Sequence, residues 1–424
     1  MERLLPYGRR AIPVSLPDRV VPLVADDIDE APLTDADLGR LLDRPTAGRP
    51  FAERFSPGDR VTIVVSDQTR YAGAERYLPL MFARLNDAGV ADADVTLLVA
   101  TGTHRGLTAD ERRRLVGETI VNRVAVVDHD CRDDARLVGC GISLDGVEIR
   151  LNRLLFDADR VVLTGSCGVH YLAGFGGGRK GIMPGVAACD DIRRFHFRSL
   201  DPDRPGRHPA IGPASLDGNP MNAIAVAVTE RIAPAFLFNT VVGRGGELLA
   251  GGSGDPGPAY EAAVAAARRV GVIHIAGNHD VLLASCGGAP KDINWIQAQK
   301  AYDNAVRAMA PGGTLYLAAE TPDGVGSETF LPWLTCRSWR EIDAALRAPG
   351  AFAVNGQTAM ATLEKSEAYR TVLLSNLDPE TVRAMGMEPA DDEASFIDAA
   401  VGALAAARRP AFFPEAGYLT PVAG

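Results

Sequence analysis

Short runs of β-branched and aliphatic residues recur along the chain, and each breaks off into glycine or a polar turn before a helix-like stretch. Residues 61–65 run into SDQTR, 95–100 into TGTHRG, 124–127 into DHD, and 161–164 into GSCGVHY. The runs are continuous rather than alternating. A strand with one face in water alternates, whereas a strand covered on both faces does not. Helical segments lie between them, at 77–88, where Pro79 is expected in the first turn, and at 108–116. This succession predicts an α/β fold with mainly parallel sheets. The pattern falters between Ser199 and Gly218, where Pro, Gly and Asp dominate. It resumes with a helix at 221–228, a strand at 236–242 and a helix at 260–270. Further strands are predicted at 281–284, 314–318 and 372–375, with a helix across 293–309. Two α/β domains result, 1–270 and 275–405, with the tail 408–424 expected to pack back on the first.

Composition narrows the class. A length of 424 residues suits two or three domains. Hydrophobic residues at 46% against 23% charged exclude disorder. A net charge of -10 argues against a nucleic-acid partner or an anionic membrane surface. No window of ~18 residues is apolar enough for a membrane span. The opening MERLLPYGRR does not read as a secretory signal. Six cysteines without a CxxC pair suggest neither a disulfide framework nor a thiolate zinc site. The expectation is a cytoplasmic protein with reduced thiols. No signal for an oligomeric state stands out. The 44 glycines against 6% aromatics imply that part of the structure leans on glycine backbone.

Ligands of open α/β sheets bind beyond the carboxyl ends of the strands. Asp67, Thr69 and Arg70 follow one predicted strand, His104 and Arg105 the next, and His170 a third. Any one alone reads as a helix cap or a surface group. Three strand ends carrying such residues together point to a site. The strongest local signal is HYLAGFGGGRKGIMPG, residues 170–185, with Gly174, Gly176, Gly177, Gly178 and Gly181 close together. Such a run lets backbone N–H groups approach an anion, and Arg179 and Lys180 add positive charge. It satisfies GxGxxG but does not follow a strand directly. Lys180 precedes Gly181 rather than Ser or Thr, so it is no Walker loop. His196 lies sixteen positions after Lys180, on a predicted helix at 190–198, where an imidazole could ligate a metal. The block GGAPKDINWIQAQK, 287–300, places Gln297 and Lys300 on one helix face, with Asp292 nearby. GNHD at 277–280 resembles the middle block of metallophosphoesterases. The companion blocks are absent, since Asp128–His129–Asp130 lacks the spacing.

Taken together, SDQTR, GTHR, HYLAGFGGGRK, the following His196 and GGAPKDINWIQAQK resemble the nickel-pincer-nucleotide lactate racemase family, in that family's order. The resemblance covers about 60–400. It implies two α/β domains with the active site in the cleft between them. It also implies a pyridinium mononucleotide cofactor whose two sulfur-containing arms bind nickel, made by dedicated synthesis enzymes. A chain produced without those enzymes would be apo. By resemblance, Lys180 is joined covalently to the cofactor, His196 is the nickel ligand, and His104 and His170 are the acid/base pair. Asp67, Thr69, Gly176, Gly177, Gly178 and Arg179 are expected to hold the cofactor. Arg70, Tyr171, Gln297 and Lys300 are expected to meet the substrate, a small 2-hydroxy acid. Racemisation would run through a planar 2-keto acid, with hydride returning to either face.

Three departures bear on the substrate. Tyr71 replaces a common proline, Ile296 a common tyrosine, and VNGQTAM near Gly356 lacks an expected tryptophan. The implied substrate is therefore not restricted to lactate. A cofactor-carrying or ligand-binding homologue without racemase activity is the alternative. A metallophosphoesterase-like hydrolase and an NAD-dependent dehydrogenase fit less well.

Overall fold

In the computed structural model, which describes residues 1–25, 31–348 and 350–423, the chain forms two compact α/β units. One comprises Asp29–Ser199 and Ala210–Val270 and carries the glycine run. The other comprises Met1–Ile28, Leu200–Pro209 and Gly271–Gly424 and holds both termini.

The glycine-loop unit is built on a six-stranded sheet. Its order is Leu248–Gly254, Phe236–Val242, Arg160–Ser166, Val61–Ser66, Val95–Ala100 and Ala125–Asp128. All neighbours are parallel except the first pair. Ile63, Val64 and Val65 are successive and all fully buried, so both faces of the strand are covered. That is why the apolar runs do not alternate. In chain order the strands proceed outward one way through 61–66, 95–100 and 125–128. They then return to 160–166 on the other side. The direction of winding therefore reverses between 61–66 and 160–166, the kind of crevice where open α/β sheets bind ligands.

Two helices of this unit show how local signals act. Ala109–Val116 starts on Thr108, whose side chain forms a capping box with Glu111. Ala74–Asp87 starts three residues before the expected Tyr77 and takes Pro79 into its interior. Gly73, at φ +72°, turns the chain into the helix without a side-chain cap. Tyr77, Leu78, Met81, Phe82 and Leu85 bury the helix face and offset the backbone hydrogen bond that a proline cannot donate.

The terminal unit contains a six-stranded, wholly parallel sheet. Its order is Glu388–Pro389, Arg370–Leu374, Met309–Ala318, His279–Ser285, Pro410–Phe413 and Val21–Pro22. The tail and the N-terminus thus belong here, not with the glycine run as the sequence suggested. Pro410–Phe413 is buried throughout and inserts beside His279–Ser285. Thr420–Ala423 pairs with Val272–Ile275, and the hairpin Glu2–Tyr7/Arg10–Ser15 packs in the same core. Residues 200–209, where the strand–helix pattern falters, are tied in by polar contacts. Arg207 forms two 3.1 Å bonds to Asp303, and the Gly206 N–H donates to Asp343 at 3.0 Å. No helix among the described residues is long and apolar enough to cross a membrane.

Candidate active site

The reversal point of the glycine-loop sheet carries the strand-end candidates Asp67, His104 and His170. Asp67 leaves the end of Val61–Ser66, and its carboxylate is buried. It accepts from the Thr69 N–H at 3.1 Å, the Thr69 hydroxyl at 2.7 Å and His104 Nδ1 at 2.5 Å. Burial alone would raise its pKa, but the bonds from His104 and Thr69 hold it below the ordinary carboxylate value. His104, half-exposed, is fixed through Nδ1, which leaves the Nε2 edge facing outward from Asp67. Thr69 is thereby engaged with Asp67. Arg70 is exposed beside it.

His170 lies on the other side of the reversal, on the short strand Val169–His170, which pairs with Gly174–Phe175. Its Nδ1 faces the Leu172 and Ala173 N–H groups at 3.2 and 3.1 Å. Its Nε2 is 2.9 Å from Lys180 Nζ. Tyr171 stacks on the His170 ring at 5.1 Å.

The glycine run is required by crowding. Gly174 has φ +77°, and a Cβ there would lie 2.1 Å from the Ser215 carbonyl oxygen. A Cβ on Gly178 would meet Leu237 at 2.4 Å. Gly178 opens the short helix Gly178–Ile182, and its N–H donates to the buried Asn239 side chain at 2.9 Å. The Gly176 N–H donates to the Gly168 carbonyl at 2.8 Å. The cradle of amides expected for a phosphate is thus partly filled from within. Arg179 departs from expectation similarly: its guanidinium lies over the Tyr260 ring, 3.9 Å from the centroid, and burial lowers its pKa.

His196 sits near the end of the helix Cys189–Phe197. Its Nδ1–H donates to the Ile192 carbonyl at 2.8 Å. Burial pushes its pKa down to about 4, against that hydrogen bond and helped by the charges of Lys180 and Arg70. The ring is therefore neutral, with Nε2 able to bind a metal.

In the terminal unit, Gln297 and Lys300 lie on the helix Trp295–Arg307, whose N-cap is Asn294. Lys300 Nζ donates to Gln297 Oε1 at 2.7 Å. Asp292, fully buried, accepts from the Gly8 N–H at 2.7 Å.

The lactate racemase N-terminal domain matches residues 7–206, and the lactate racemase C-terminal domain matches 275–410. The chain belongs to the lactate racemase family. It is an enzyme of the isomerase class. Lactate racemase from Thermoanaerobacterium thermosaccharolyticum is 27% identical over 333 residues, covering 78% of this chain and 76% of that one. Lactate racemase from Lactiplantibacillus plantarum is 27% identical over 393 residues, covering 91% of each chain. The fold is that of the lactate racemase apoprotein from T. thermosaccharolyticum, with a TM-score of 0.89 at 24% identity and full coverage of both chains. A Thermotoga maritima protein is similar at a TM-score of 0.67 and 19% identity, covering 94% of this chain and all of that one.

Against the lactate racemase pattern, two departures change meaning in the structure. The Tyr71 hydroxyl bonds Glu75 at 2.7 Å, so the side chain is held against the start of the helix Ala74–Asp87. A Cβ on Gly356 would meet the Trp333 ring at 2.5 Å. The ring of Trp333, on the turn Leu331–Thr335, thus lies directly against Gly356. The third, Ile296, is half-buried beside the fully buried Trp295. The hydrolase-like residues are structural. Asp280 accepts the Arg408 and Arg409 N–H groups, and His129 is buried between Ala187 and Asn152. Asn239 was missed. Its signal was a polar residue in the middle of the apolar strand FLFNTVV.

Proposed function

We propose that the chain racemises or epimerises a 2-hydroxy acid, with His104 and His170 moving the hydroxyl proton and a nickel-pincer nucleotide joined through Lys180. The observation that carries this reading is the paired arrangement at the sheet reversal, Asp67–His104 on one side and His170–Lys180 on the other. The residues fit the cofactor. Among the described residues no three His, Cys, Asp or Glu side chains gather as a metal site. His196 offers one neutral imidazole, which suits a metal whose other donors arrive with an organic group. When bound, the cofactor supplies a reversible hydride acceptor for the α-carbon.

The protein's own part is proton transfer and orientation. Asp67 holds His104 in the tautomer whose Nε2 takes the hydroxyl proton of one enantiomer, and stabilises the imidazolium that results. His170 serves the mirror-image substrate. Joining the cofactor through Lys180 Nζ would withdraw the amine from His170 and leave Nε2 for the substrate. Arg70 and Lys300 are cations for the substrate carboxylate or cofactor phosphate, with Gln297 orienting Lys300. Tyr171 lines the same side as His170.

The departure at Ile296, beside the buried Trp295, supports a 2-hydroxy-acid range beyond lactate. The test is a panel of single-enantiomer 2-hydroxy acids given to protein made alongside the cofactor synthesis enzymes. Interconversion of a bulkier or more polar member is expected. Turnover of lactate alone would sink the broader range. Binding without interconversion of any member would leave a cofactor-carrying binding protein.

A further inference from the structure

Two of the six cysteines stand together, away from the residues used above. Cys131 follows the strand Ala125–Asp128, and Cys189 is the first residue of the helix Cys189–Phe197 that carries His196. The Cys189 N–H donates to the Cys131 carbonyl at 2.9 Å. Backbones joined in this way place their Cα atoms about as far apart as a disulfide requires, roughly 4.4–6.8 Å. Burial, then the adjoining Cys189 sulfur, pushes the Cys131 thiol up to about 11. Cys131 is buried and Cys189 is partly exposed. Cys140, Cys167 and Cys286 are buried, and Cys336 lies in the terminal unit.

We infer that Cys131 and Cys189 are a thiol modification site, forming a reversible disulfide when the protein meets a peroxide. Exposure assigns the order. The Cys189 sulfur attacks the O–O bond of hydrogen peroxide; an S–O bond forms, and the departing oxygen leaves with the thiol proton as water. The Cys131 sulfur then attacks the Cys189 sulfur. The S–S bond forms, the S–O bond breaks, and a second water leaves with the Cys131 proton. Two thiols lose two electrons in all, and one peroxide becomes two waters. The bond fastens the first turn of the His196 helix to the end of a neighbouring sheet strand.

The experiment treats the reduced full-length chain with one equivalent of hydrogen peroxide, blocks remaining thiols and maps the peptides. A Cys131–Cys189 cross-linked peptide is expected, with an intact mass lower by about 2 Da, reversed by dithiothreitol. The oxidised protein should also melt at a higher temperature, because the bond closes a long loop. C131S should stop at a Cys189 sulfenic acid that dimedone traps, and C189S should leave position 131 reduced. In the wild-type map, Cys189 oxidised to sulfinic acid while Cys131 stays reduced would overturn the inference. So would a cross-link from either residue to another cysteine. The wild-type map decides even if a variant fails to fold.

Discussion

Asp67 and Asp303 are both buried carboxylates held below their ordinary pKa, one in each unit, and their partners differ. Asp67 is paired with a half-exposed histidine. Asp303 is closed in by Arg207, at 3.1 Å through both oxygens, and by the buried Lys365, also at 3.1 Å. Burial alone would raise Asp303, but the Arg207 and Lys365 charges more than reverse it. In the proposed mechanism the first carboxylate orients a group that exchanges protons with a bound molecule. The second holds residues 200–209 and the helix Val354–Ala368 against Trp295–Arg307. A buried acid is thus a sign of chemistry only when its partner is titratable and accessible.

This contrast can be broken by substitution. His104→Ala should lower kcat of cofactor-loaded protein by about 10²–10⁴-fold while leaving the melting temperature nearly unchanged. His170→Ala should do the same with the opposite enantiomer most affected. Initial rates from each pure enantiomer check both, and equal rates in both directions with either variant would remove the acid/base assignment. Asp303→Ala should act the other way, costing about 3–5 kcal/mol of stability because two buried cations lose their partner. Denaturant unfolding measures it, and adding Lys365→Met should recover part of the loss. A third change sharpens the line between site and scaffold. Asn239→Ala removes the acceptor for the Gly178 N–H and should cost about 1–3 kcal/mol, with slower modification of Lys180 by an amine reagent.

The smallest effect concerns acid. His129 Nε2–H donates to Ala187 at 3.0 Å, and burial lowers its pKa. Its folded value lies below its unfolded value of about 6.5, so its contribution is complete above that pH and fades as pH falls below it. The unfolding midpoint of wild type should decline through that window more steeply than that of His129→Gln.

Much of the fold was legible because burial on both faces leaves a direct mark. The run at 95–100 became a strand with the expected bounds, and 61–65 grew by one residue. The start at Ala74 was not legible, since it depends on a positive φ at Gly73 and on packing that compensates for Pro79. The placing of Pro410–Phe413 was also hidden. Its partners lie at 21–22 and 281–284, and no local pattern selects between two sheets. In the candidate site, Asp67, His104, His170 and Lys180 are proposed from strand ends and the glycine run. Their pairing, the engagement of Arg179 with Tyr260, and the Trp333 ring against Gly356 are tertiary facts.

The central claim is that Lys180, beside His170, carries a nickel-bearing cofactor held also by His196. Intact mass and nickel content, measured on protein made alongside the cofactor synthesis enzymes, test it most directly. The account predicts an added mass with about one nickel per chain, as a single imidazole site implies. The added mass should vanish in Lys180→Ala, and nickel should fall in His196→Ala with the mass retained. An unmodified wild-type chain, or added mass that survives Lys180→Ala, would contradict it.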